Sequence, residues 1–127
     1  MSTDDLAQVI TSMYRALGDR PAFDAHLHPA LTIWESDAPE LLHGLPSLDA
    51  LRDRRAAARS GAPVAGTVTV APEQLLTESW GETGLARYLL RAVHADGSRD
   101  DVFRVTDVLR RDETGWRIVH HHAEAVA

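Results

Sequence analysis

With 127 residues, 44% of them hydrophobic and 25% charged, and a formal net charge of −6, the chain has the size and composition of one folded domain rather than a disordered one. The negative balance argues against nucleic acid or an anionic membrane as the main partner, since both call for a basic face. Cysteine is absent, which excludes disulfides, a thiol nucleophile and thiolate metal sites; all 13 basic residues are Arg. Residues Met1–Gln8 lack the basic and apolar regions of a signal peptide and no run reaches transmembrane length, so a cytoplasmic protein is expected.

In chain order, Ser2 or Thr3 is positioned to cap a first helix. Leu6, Val9, Ile10, Met13, Tyr14 and Leu17 follow at helical spacing, and Gly18 stops the pattern. Asp19-Arg20-Pro21 starts a short second helix predicted to reach about Leu27, with Pro29 ending it. Leu31–Ser36 reads as a strand, and Asp37–Gly44 as a turn with a short paired segment. Ser47 or Asp49 opens a third helix running to about Arg59, closed by Ser60-Gly61 and Pro63.

The texture then changes to strands. Thr67–Ser79, Leu85–Ala95, Val102–Arg111 and Trp116–Ala123 are separated by polar, glycine-containing turns. Pro72 inside the first of them calls for a bulge or a sheet edge. Helices first and an antiparallel meander after them predict a single α+β domain over residues 1–127, with its helices on one face of a curved sheet.

The last two strands form a hairpin around Asp112–Gly115 and carry three of the seven histidines. If Asp112 faces Gly115, Thr106 opposes His121 and Arg104 opposes Ala123 on one face. On the other face Asp107 opposes His120, Val105 opposes His122 and Leu109 opposes Ile118. A one-residue slip would exchange the faces. The Asp107–His120 pair reads either as a carboxylate orienting a general base or, more simply, as a cross-strand ion pair. His26 and His28 with His120–His122 raise metal binding, but neighbouring histidines on a strand point to opposite faces and no acidic residue sits at a ligand spacing. No metal or cofactor is expected, and the nucleotide, dinucleotide and hydrolase-elbow motifs are absent.

Arg91 in the centre of an apolar strand snorkels to solvent in the simplest reading. Tyr14 and Trp34 read as core residues that need a polar partner if buried. Glu35, Asp37 and Glu40 flank a turn and read as solvated, Glu35 being the candidate base among them.

Several stretches together resemble the nuclear-transport-factor-2-like superfamily, which includes ketosteroid isomerase, scytalone dehydratase and the SnoaL-like cyclases. They are Gly18-Asp19, His28–Glu35, His43-Gly44, Thr67–Val70 with Pro72, Tyr88–Arg91, Arg110–Asp112 and Trp116–His122. Within that superfamily they are most similar to the association domain of calcium/calmodulin-dependent protein kinase II. The resemblance implies a cone-shaped, strongly bent, mostly antiparallel sheet packed around a long N-terminal helix and two shorter helices, with a pocket between. It also implies a homodimer through the outer sheet face. It places Arg91 in the pocket, reversing the snorkelling reading, and favours Arg104, Thr106 and His121 as the pocket wall. Asp107, Trp116, Ile118, His120 and His122 then become candidates for the dimer interface. The isomerase likeness points to Glu35 as general base and to Tyr14 only approximately as an oxyanion donor.

The expectation is a small-molecule-binding homodimer with an apolar pocket containing Arg and His, its ligand a small organic molecule that carries a carboxylate or another anion. The ligand set is Tyr14, Trp34, Arg91, Arg104, Thr106 and His121. An isomerase, cyclase or dehydratase using Glu35 or His121 is the alternative reading, and a hub-like oligomerisation domain the third.

Overall fold

The computed structural model describes residues 4–58 and 68–126. The candidate cap Ser2 or Thr3, the third helix end at Arg59–Pro63 and the strand start at Thr67 lie outside the described residues. Helix α1 (Asp4–Arg15) turns Leu6, Ile10, Met13 and Tyr14 to one side, and all four are buried. Gly18, at φ +99°, takes the left-handed backbone that ends the turn after it. Helix α2 (Arg20–Asp24) is capped by Asp19, whose carboxylate accepts from the Ala22 N–H at 3.1 Å, with Pro21 in the first turn.

Strand β1 (Leu27–Trp34) runs through Pro29 instead of starting after it, and its register against its neighbour shifts between Leu27 and Thr32. A proline needs no ladder partner at such an irregularity. Strand β2 (Leu42–His43) is the short paired segment, and α3 (Gly44–Ala58) begins earlier than the Ser47 or Asp49 start read from the sequence. Strands β3 (Val68–Trp80), β4 (Thr83–His94), β5 (Asp101–Asp112) and β6 (Gly115–Ala125) follow.

The six strands make one sheet in the order β2-β1-β6-β5-β4-β3. All neighbours are antiparallel except β1 and β6, which run parallel. Pro72 sits on the edge strand β3, just before a register shift between Glu73 and Leu76 where Gln74 takes φ 54°. The helices lie on one face of the sheet, and the core fills the space between, from Leu6 and Ile10 of α1 to Leu109 and Ile118 of the hairpin. Gly84 is needed there: a Cβ at that position would come within 2.8 Å of the Leu6 side chain.

The hairpin register decides which residues meet the helices. Asp112 faces Gly115 and Leu109 faces Ile118, as the turn dictates. Between Leu109 and Val108 the register then shifts by one residue, and Val119 becomes the extra residue of a β-bulge. Beyond it Val108 opposes His120, Asp107 opposes His121, Thr106 opposes His122 and Arg104 opposes Glu124. On β5 the inner face is Val105, Asp107 and Leu109; on β6 it is Ile118, His121 and Ala123.

Candidate acid–base cavity

A cavity of about 770 Å³ lies between the three helices and the inner face of the sheet. Its walls are mainly apolar, from Met13, Leu31, Ile33, Val70 and Phe103. Tyr14, Glu35, Asp37, Arg55 and His121 are among the polar side chains that line it. Three of these, Tyr14, Glu35 and His121, are sequence candidates.

Strand geometry explains why Glu35 and His121 meet. Ile33 on β1 pairs with His121 on β6, and Glu35, one residue past the end of β1, is the next to point the same way. Glu35 Oε1 lies 3.6 Å from His121 Nε2, and both side chains are about 15% exposed, at 15% and 14%. The other ring nitrogen of His121, Nδ1, sits 2.5 Å from Asp107 Oδ1, across the β5–β6 pair. Asp107 is fully buried, and its second oxygen accepts the Tyr88 hydroxyl at 2.6 Å. Tyr88 in turn lies 2.8 Å from the Tyr14 hydroxyl.

Counting protons fixes the roles in this chain. A carboxylate only accepts, so His121 carries a proton on Nδ1 and Tyr88 gives its single proton to Asp107. Tyr14 must then donate to Tyr88, which leaves Tyr14 only lone pairs to offer the cavity. His121 Nε2 and Glu35 share whatever proton remains, facing each other at the cavity wall.

The electrostatics follow from burial. Burial pushes both tyrosine hydroxyls well above their ordinary range, and the Asp107 charge adds to it. Burial also raises the Glu35 carboxyl, partly offset by His121 and Arg55. For His121, burial works against the charged ring, but the Asp107 carboxylate and Glu35 outweigh it and hold the imidazole above its usual value.

Glu35 has a second cationic neighbour. Arg55 of α3 places Nη2 3.4 Å from Glu35 Oε2, while its Nε and Nη2 donate to the two oxygens of Asp37 at 2.8 Å each. The Ala38 N–H returns to the Glu35 carbonyl at 3.3 Å, turning the chain so that Asp37 reaches α3. Asp37, read from sequence as solvated, has its carboxyl pKa lowered by the Arg55 hydrogen bonds.

The remaining sequence candidates lie elsewhere. Arg91 does not line this cavity, where the family resemblance had placed it; it bonds Glu73 and Asp100 at 3.2 Å each. Arg104 is 67% exposed and pairs with Glu124 at 3.1 Å; Thr106 faces the same outer side, opposite His122. The family resemblance placed both in the pocket wall, on a register that grouped them with His121 and ignored the bulge. Trp34 is 43% exposed on the outer face, paired in register with His122.

The interface candidates divide the other way. Asp107, Trp116 and Ile118 are inner-face residues: Asp107 and Ile118 are fully buried, and Trp116 packs against the core. His120 and His122 are on the outer face, His120 bonded to Thr32 Oγ1 at 2.7 Å. Burial, helped by its histidine neighbours, lowers its pKa. His26 is held between Phe23 O and Ser12 Oγ, and His28 accepts from the Ala30 N–H. Among the described residues no group of three His, Asp or Glu is placed to hold a metal ion.

Sequence reasoning missed Tyr88, Arg55 and the inward position of Asp107. Tyr88 falls between Ala86 and Ala92 at the period of two that marks the inner face of β4, a pattern open to sequence inspection. Arg55 continues the helical stripe of Leu48, Leu51 and Arg52.

Residues 6–126 match the family described as the SnoaL-like domain. No curated protein matches the chain in sequence. A CaMKII hub from S. rosetta superimposes with a TM-score of 0.82 at 22% identity, covering 99% of this chain and 98% of that one. An NTF2-like protein of unknown function from Pseudomonas putida KT2440 gives 0.82 at 21% identity, over 98% and 86%. A candidate dehydratase of the NTF2-like family from Streptomyces avermitilis gives 0.75 at 19% identity, over 98% and 96%. At these identities the likeness is one of fold. No helix among the described residues is long and apolar enough to cross a membrane.

Proposed function

The chain belongs to the SnoaL-like domain family, and we propose that within this fold it is an acid–base enzyme acting on a small, largely apolar organic molecule. One observation carries the reading: Glu35 and His121 face each other at 3.6 Å on the wall of an apolar cavity, with His121 backed by Asp107. A carboxylate raised by burial beside an imidazole raised by a buried partner is a pair suited to taking and giving protons. Glu35 takes a proton from carbon, and His121, charged and held by Asp107, returns one to the substrate. Isomerisation, cyclisation and dehydration all need this pair of steps.

Proton exchange is the direct test. Enolisable ketones and β-hydroxy carbonyl compounds in D₂O are expected to exchange their α-hydrogens in the presence of the protein, followed by proton NMR. Glu35→Gln should lower that rate by about 10²–10⁴-fold. A compound that binds in the cavity but exchanges no faster with wild type than with Glu35→Gln would leave a binding protein.

Assembly is a second feature of the proposal. Trp34, Leu76, Trp80 and Val93 are large apolar residues exposed on the outer side of the sheet. Together with the hub structures among the neighbours, they support a homodimer through that face, with His120 and His122 at its edge. Light scattering showing a monomer at micromolar concentration would remove this part.

A further inference from the structure

Drawing a proton from carbon leaves a negative charge on the substrate, and the site must have a group that meets it. Tyr14 is poorly suited, because its one proton is committed to Tyr88. His121 gives Nδ1–H to Asp107 and turns Nε2 toward Glu35. Among the arginines that line the cavity, Arg55 is the one in contact with Glu35. Its Nε and Nη2 hold Asp37, and Nη2 approaches Glu35. Nη1 has no hydrogen-bond partner among the described residues.

We infer that Arg55 is the electrophile of this site, its Nη1 binding the carbonyl oxygen of an enolisable substrate and stabilising the enolate that forms. The inference rests on the acid–base reading above. The step balances without any further reagent: the C–H bond breaks and the proton passes to Glu35. The C–H electron pair becomes a C=C bond, and the carbonyl pair moves onto oxygen. Negative charge thus leaves Glu35 and appears on the substrate oxygen, and Arg55 is placed to reach both. The guanidinium keeps one carboxylate partner, Asp37, throughout, which fixes the plane of the fork while its other side exchanges Glu35 for the oxyanion. The substrate class is a carbonyl compound whose α-hydrogen faces Glu35 while its oxygen faces α3.

The experiment uses 4-nitrophenol, whose ionisation is visible by absorbance, as a stand-in for the enolate. Bound to wild type it should ionise at a pH lower by about 1 unit or more, the effect of one close cation. Arg55→Gln should abolish that shift and Arg55→Lys retain part of it. 4-Nitroaniline, of similar shape without an ionisable oxygen, should bind all three proteins equally, which shows that the variants keep the cavity. Equal ionisation in wild type and Arg55→Gln, or failure of 4-nitrophenol to bind wild type, overturns the assignment. The shift does not depend on catalysis. A wild-type protein that shifts 4-nitrophenol but exchanges no α-hydrogens therefore removes the enzyme reading separately.

Discussion

The two faces of the β5–β6 hairpin carry similar side chains in opposite circumstances. On the outer face Arg104 and Glu124 meet at 3.1 Å with both side chains more than half exposed. On the inner face Asp107 and His121 meet at 2.5 Å with Asp107 fully buried. The outer pair can lose a partner and find water in its place. The inner pair cannot, because each atom of Asp107 that loses a donor keeps only an apolar surrounding. A salt bridge is therefore an incidental feature on one side of the strands and a structural commitment on the other.

Asp107→Ala should produce the largest loss, about 3–5 kcal/mol in urea unfolding, because it strands both His121 Nδ1 and the Tyr88 hydroxyl. A cost no greater than that of an outer-face pair would break the contrast. Tyr88→Phe comes next, at about 1–3 kcal/mol, since Asp107 Oδ2 and the Tyr14 hydroxyl both lose their partner. Tyr14→Phe, at the end of the same chain, should cost less than Tyr88→Phe in the same assay.

Proton linkage sharpens the contrast further. Glu35 and His121 both bind their proton more tightly folded than unfolded. Stability therefore falls as pH rises, Glu35's share going first above the ordinary carboxylate range and His121's from about 6.5 upward. For one linked proton the slope is at most about 1.4 kcal/mol per pH unit. Unfolding midpoints taken between the two ranges and above them should show the later slope in wild type and not in His121→Gln. The smallest effect belongs to Arg104→Ala, below about 1 kcal/mol and shrinking with added salt.

What could be read from sequence divides along similar lines. Periodic patterns gave the four long strands and the core stripe of Leu6, Ile10, Met13 and Tyr14, because burying one face forces that spacing. The alternation of β4 turns Ala86, Tyr88 and Ala92 inward and leaves Arg91 on the opposite side, against the pocket position that the family likeness implied. Glu35 and His121 were both visible as acid–base residues. Their meeting was not, since it depends on a parallel pairing of strands far apart in sequence. The inward turn of Asp107 was hidden by the bulge at Val119, which no glycine, proline or asparagine announces.

That bulge gives the hairpin an unusual tolerance. Removing one residue from the middle of a strand ordinarily turns every later side chain over. Position 119 is different, because its residue is the one left over in the pairing. Without Val119, Ile118 is followed by His120 outside and His121 inside, and the facing residues keep their sides. The strand can thus lose a residue at this point while the cavity keeps its imidazole, a freedom that follows from the bulge.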